Sequence, residues 1–386
     1  MITPQTMSVI TRIFPPEKRG AAMGVWGTVA GVATLVGPLL GGILTDAFGW
    51  EWIFFVNIPV GIVGIVLAQI FVPNIPTRNH SFDWVGVILS AVGMFALVFG
   101  IQDGEKYNWS GWIWALIIGG LVVMALFIWW ESKVRTEPLL PLSLFADRNF
   151  TLSNICIAAM GFAVSGMMVP TMFFLQLVGG MSPTQSALMM VPMAVATGVL
   201  APIIGRLVDR LHPRLIIGSA MALMAGSVIW LGIITRPETP VWLLLIPNFL
   251  MGVASAGIWA PLAATATRNL QMSQAGAGSG VYNTTRMIGS VLGSAAVGAL
   301  LQTRLADELP GLSGSADHIS GRLPEFVRSP FSEAMGQTLY LPGVVLLIGV
   351  VAAMFFARPR HLGVAAQSAA AARADTSRPI GGAVEA

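Results

Sequence analysis

The sequence predicts an all-α polytopic membrane protein, and three observations carry that prediction. Apolar residues make up 55% of the chain against 10% charged, with a mean hydropathy of +0.76, far from the balance of soluble domains. Apolar stretches of about twenty residues, the length that crosses a bilayer as a helix, recur along the chain between charges and turn residues. The basic residues divide unequally between the two sets of loops that such stretches would create.

The first stretch, Gly20 to Gly42, opens after Pro15-Pro16-Glu17-Lys18-Arg19 and closes at Thr45-Asp46. Gly24, Gly27, Gly31, Thr34, Pro38 and Gly41 fall at steps of three and four. That spacing puts small groups on one helix face, where a second helix can approach backbone to backbone, and leaves the bulk on the other. With this helix at 20–44, further spans are expected at 52–72, 84–102, 112–131, 150–178, 184–205, 214–235, 240–263, 277–301 and 337–357. Residues 1–14 read as the last turns of another helix. A long, flexible external loop is expected over 302–336, and a low-complexity Ala, Ser and Gly tail, disordered in the cytoplasm, after Pro359.

Setting Lys18 and Arg19 on the cytoplasmic side fixes the side of every later loop. Of the 21 basic residues, Lys106, Arg236, Arg304, Arg322 and Arg328 fall outside, Arg286 lies within a span, and the rest fall inside. This is the positive-inside bias, and it makes the carboxyl terminus cytoplasmic. Trp50, Trp52, Trp109, Trp112, Trp114, Trp129, Trp130 and Trp242 sit at span ends, where an amphipathic ring suits the headgroup level.

Several function classes lose support. The single Cys156 rules out an internal disulfide and suits core packing. His212 has no metal-ligand partners at useful spacing, no phosphate-cradling Gly-Lys-Ser/Thr loop occurs, and no His, Asp, Cys and Ser cluster shares a depth. The reading therefore expects no enzyme, no metal and no cofactor. The net charge of +3 follows the loops and implies a lipid bilayer, not nucleic acid, as partner. The amino end lacks the basic segment and apolar core of a cleavable signal.

The pattern of the first helix returns 256 residues later. Aligned without a gap, Thr11/Thr267, Arg12/Arg268, Gly20/Gly276, Ala21/Ala277, Gly24/Gly280, Val25/Val281, Thr28/Thr284, Gly37/Gly293, Gly42/Gly298 and Leu44/Leu300 are identical. Both copies follow a loop and enter the membrane in the same sense, as in transporters built from parallel repeats. The partner helix thus presents Gly280, Gly289, Gly293 and Gly298.

Arg286 lies about ten residues into its span, where an Arg costs on the order of 2.5–3.5 kcal/mol. It either lines a cavity, with Asn283 one turn earlier, or bonds helix carbonyls and snorkels. Asn154, Gln176 and Asn248 are further candidate cavity residues. Pro170, Pro192, Pro202 and Pro247, and Asn57 with Pro59, mark bends or freed carbonyls. Met160, Met167, Met168, Met172, Met189, Met190, Met193, Met221, Met224 and Met251 crowd four helices, as adaptable cavity lining or as core filling. None of the eighteen Asp and Glu residues falls in the middle of a span.

Gly24, Ala33, Gly37, Pro38, Gly41 and Gly42 resemble the antiporter motif of proton-driven drug exporters of the major facilitator superfamily, with Ala33 in place of its central glycine. FGWEWIFFVNIPVG, PLLPLSLFADRNF and YNTTRMIGSVLG are similar to stretches of the fourteen-helix EmrB/QacA branch. The resemblance implies a major facilitator fold. Residues 1–72 would be the remainder of a first bundle (the end of helix four, then five and six) and 73–149 two linker helices. Residues 150–357 would be a complete second six-helix bundle, and 358–386 the tail. The repeat agrees: residue 1 pairs with 257 while the second bundle opens near 150, so about a hundred residues of the first bundle have no counterpart. The sequence reads as shortened at its amino end.

Gly205, Asp209, Arg210 and Arg214 resemble the superfamily's cytoplasmic-loop motif. They would form a charge clasp that opens as the bundles rock, or serve as ordinary inside anchors. The resemblance implies proton-coupled export of small apolar or cationic molecules, with small-molecule substrate and protons as partners and oligomeric state undetermined. The coupling carboxylate, which in this family usually lies in the first helix, is placed on no residue here. A transport-inactive remnant or mis-started product and an uptake permease are the competing expectations.

Overall fold

A computed structural model describes residues 6, 9, 10, 13–15, 18–72, 83–104, 107–134, 138–208, 211–270, 274–308 and 323–357. The described residues build long helices: α1 (Arg19–Phe48), α2 (Trp52–Phe71), α3 (Trp84–Asp103), α4 (Gly111–Lys133), α5 (Arg148–Phe173), α6 (Pro183–Val208), α7 (Pro213–Ile234), α8 (Val241–Thr267), α9 (Ala275–Glu308) and α10 (Glu325–Met354). Their order follows the expected spans. Helices α2 to α10 each contain an apolar stretch long enough to cross a membrane, so the chain is a multi-pass membrane protein.

Local chemistry sets the ends. Asp83 and Asp147 accept from the backbone N–H groups of Gly86 and Phe150, each at 2.9 Å, and start α3 and α5. Ser182 and Gln185 form a reciprocal capping box at α6. His212 caps α7, whose first residue, Pro213, has no N–H to leave unpaired. Beyond Pro170, α5 widens into a π-helical turn over Phe174–Val178, closed by Gly179 N on Phe174 O at 3.0 Å.

Helices α5 and α7 to α10 enclose the main core. Phe150, Ile157, Met160, Met221, Met224, Met251, Phe331 and Met335 are buried there, joined by Met23 from α1. The methionines of this group fill the core, whereas Met168 stays exposed. Helix α5 packs against α9 and α10, α7 against α8 and α10, and α1 against α6 and α8. The α3–α4 hairpin touches α9. Asn57–Phe71 buries no residue.

The expected external loop is shorter than the sequence reading placed it. Helix α9 continues to Glu308 and α10 already begins at Glu325. Charges in these turns ended the hydropathy signal, but Leu301, Val327, Phe331, Ala334 and Met335 keep a helical stripe against the core. Residues 309–322 and the tail from 358 onward lie outside the described residues. Trp130, at the end of α4, donates its Nε1–H to Asp83.

Candidate functional site

Two glycine-lined crossings position the polar groups. In the first, α5 and α9 run in parallel with almost no side chains between their backbones. Gly289 meets the Ala158 carbonyl, Gly293 the Phe162 carbonyl and Gly161 the Arg286 carbonyl, each closer than a Cβ would permit. A Cβ on Gly166 would lie 2.7 Å from Val297 Cγ2. Ser290 Oγ adds a bond to Gly161 O at 3.3 Å. This register fixes the rotation of α9 and turns Ser279, Tyr282 and Asn283 into the protein. Gly280 and Gly298, the other small residues of this helix, have nothing within 4 Å of a Cβ.

A polar seam follows from that rotation. The Arg286 guanidinium lies over the Trp259 ring of α8, 5.9 Å from its centroid, within the range of cation–π attraction. Asn154 Nδ2 donates to Phe150 O, and Asn283 Nδ2 to Ser279 O, each at 2.9 Å. Arg286 Nε, Tyr282 Oη, Asn154 Oδ1, Ser153 Oγ and Ser279 Oγ are buried with no hydrogen-bond partner among the described residues. Unpaired polar atoms cost about 1–3 kcal/mol each. A seam that concentrates five of them is one where a polar ligand or water gains contacts the protein leaves open.

Arg286, Asn283 and Asn154 therefore share one seam. Asn248 and Gln176 do not join them. Asn248 is buried on α8, about 16 Å along the axis from Trp259, and donates to Leu244 O at 3.0 Å. Gln176 sits in the π-helical turn, about 22 Å along α5 from Gly161. Sequence reasoning missed Trp259, which carries no local signal of facing an arginine 27 residues away in sequence.

The second crossing joins α1 to α6. A Cβ on Gly24 would fall 2.9 Å from Ala201 O, 3.2 Å from Pro202 Cα and 3.3 Å from Gly205 Cα; on Gly27 it would touch Ala201 and Ala260. Val25, Val29 and Val32 point away and are exposed. Farther along, a Cβ on Gly37 or Gly41 would meet nothing within 4 Å, and Ala33 is exposed. The surroundings of Pro38 and Gly42 fall outside what the structure describes.

Of the cytoplasmic-loop motif, Gly205 is buried beneath Gly24 and Arg214 is exposed, while Asp209 and Arg210 lie outside the described residues. Arg268 is a further buried cation at this end, donating from Nη1 to Val208 O at 3.3 Å. A cation suits the carbonyl-rich end of α6. Away from the seam, a cavity of about 430 Å³ lies where α7 ends and α10 begins, lined by Thr235, Arg236, Glu238, Ser332, Glu333 and Tyr340 among others. No cluster of three or more His, Cys, Asp or Glu occurs among the described residues.

Residues 1–294 match the Major Facilitator Superfamily model. An uncharacterized MFS-type transporter of Mycobacterium tuberculosis is 51% identical over 361 residues, covering 92% of this chain and 62% of the relative. Multidrug resistance protein Stp of the same organism is 32% identical, covering 79% and 57%. Multidrug export protein EmrB of Escherichia coli is 29% identical, covering 76% and 58%. The chain thus spans about three-fifths of the length of each of these relatives.

Proposed function

We propose, from the premise that the chain belongs to the Major Facilitator Superfamily, that it exports small apolar or cationic compounds by proton-coupled alternating access in a cell membrane. The reading has its carboxyl terminus in the cytoplasm. The observation that carries it is the seam between α5, α8 and α9, where Arg286, Trp259 and unpaired polar atoms meet at membrane depth. Trp259 offers an aromatic face that attracts cations. Arg286 occupies that face and can turn toward an anionic group on the opposite side of the pathway.

The α1–α6 contact supplies the moving part. Gly24 and Gly27 bring α1 against α6 and α8 through backbone and small side chains. Two such surfaces can rock without extracting interlocked side chains. Among the described small residues of α1, the close-packed ones, Gly24 and Gly27, lie toward the end this reading places in the cytoplasm, which suits a contact that shuts one side of a pathway. Proton exchange enters from the likeness to drug exporters such as EmrB, and the membrane potential contributes about 2.3 kcal/mol per charge per 100 mV.

A second reading, that the chain alone does not transport, draws on one observation: every residue of Asn57–Phe71 is exposed. Dye efflux from a pump-deficient host expressing the chain, with and without a protonophore, separates the readings. Export predicts efflux that the protonophore abolishes and that Arg286→Ala reduces at unchanged membrane level. Efflux identical to the empty host would refute it.

A further inference from the structure

Where α3 begins and α4 ends, two carboxyl groups converge. Asp83 caps α3 and also accepts from Trp130 Nε1, 3.2 Å from each of its oxygens. Glu131, on the last turn of α4, is only 3% exposed. Its Oε2 accepts from Leu140 N at 3.0 Å, tying the hairpin to the segment that leads into α5. Its Oε1 is buried and finds no donor among the described residues. Gly86 shows what faces that oxygen. A Cβ there would run into Asp83 Oδ2 and lie 2.6 Å from Glu131 Oε1, so both oxygens crowd the space of one absent methyl group.

Two ionised carboxylates this close repel each other, and the donors around them are already used. We propose that Asp83 and Glu131 form a binding site for one proton, carried as an acid carboxyl on one residue that hydrogen-bonds to the carboxylate of the other. A proton from water forms one O–H bond, the charge of the pair passes from −2 to −1, and nothing is oxidised or reduced. The proton gives Glu131 Oε1 the hydrogen-bond partner it otherwise lacks.

Among the described residues, no cation faces the pair. Asp83 is the charged group that faces Glu131 from α3, and residues 139 and 140 present backbone N–H groups. Lys133, on Glu131's own helix, is exposed. Helix α9 also packs on α3, but its Arg286, Arg304, Asp307 and Glu308 are not among the groups acting on Glu131. Occupancy would couple three pieces: the start of α3, the end of α4 and the segment entering α5. The site stands apart from the seam and does not depend on the export reading.

The test is infrared spectroscopy of the full chain in lipid nanodiscs at neutral pH, comparing wild type with Glu131→Gln and Asp83→Asn. A shared proton predicts one protonated-carboxyl carbonyl band that both substitutions remove, because the new amide donates to the remaining carboxylate. No such band, or a band removed by only one substitution, overturns the proposal. A carboxylate signal that shifts with added Ca²⁺ or Mg²⁺ and returns with chelator, without a protonated band, assigns the site to a metal ion and also overturns it. If Glu131→Gln does not fold, loss or survival of the band in Asp83→Asn alone still decides whether Asp83 takes part.

Discussion

Replacing Gly24 by alanine adds one methyl group to the tightest point between α1 and α6. Its Cβ would lie 2.9 Å from Ala201 O and 3.2 and 3.3 Å from the Cα atoms of Pro202 and Gly205. All three neighbours are backbone atoms, so no side-chain rotation relieves the clash, and the helices must separate by several tenths of an ångström. Overpacking of this kind costs about 1–3 kcal/mol. If the contact forms in only one of two transport states, the equilibrium shifts away from that state by roughly 5- to 150-fold. The control is Gly37→Ala on the same helix, where a Cβ meets nothing within 4 Å. Spin labels on cysteines at Val29 and Val199, both exposed, report the separation, and the native Cys156 is buried. The expected result is growth of a longer-distance population in Gly24→Ala and none in Gly37→Ala. Equal behaviour of the two variants would refute the assignment of the contact to the amino-terminal part of α1.

Gly293→Leu should lower the thermal stability of the detergent-purified chain strongly, because the Phe162 backbone occupies the space, whereas Gly298→Ala should leave it unchanged. Trp259→Leu should reduce efflux of cationic dyes about 2- to 30-fold while sparing uncharged ones, since the leucine keeps bulk but removes the aromatic face; dose–response in a pump-deficient host reads this. Asn149→Ala should cost about 1–3 kcal/mol locally, because Asn149 both donates to Ala357 O at 3.1 Å and accepts from Ala357 N at 2.9 Å. Faster hydrogen exchange at the Ala357 amide is the measurement.

The helices were legible because a bilayer demands long apolar stretches, and the small residues of α1 announced a close neighbour. Spacing could not say how far along the helix that neighbour extends: a Cβ on Gly24 or Gly27 would strike it, while one on Gly37 or Gly41 would meet nothing within 4 Å. Arg286 stood out as a charge in an apolar span, but its aromatic partner belongs to α8 and depends on the rotation set by Gly289 and Gly293. Arg268 was visible in the repeat as the counterpart of Arg12, yet counted only as an inside anchor; its burial against Val208 O emerges from packing. Glu131 was hidden for a similar reason. A carboxylate at the edge of a span looks solvated until the segment at 138–147 folds over it.

The most direct measurement of the central claim follows proton and dye together in proteoliposomes containing the purified chain, with a pH dye inside. Imposing an acidic interior should draw a cationic dye inward as protons leave, adding that dye should discharge the gradient, and a protonophore should abolish the exchange. Dye movement indifferent to the gradient, or dye and protons moving in the same direction, would contradict the account.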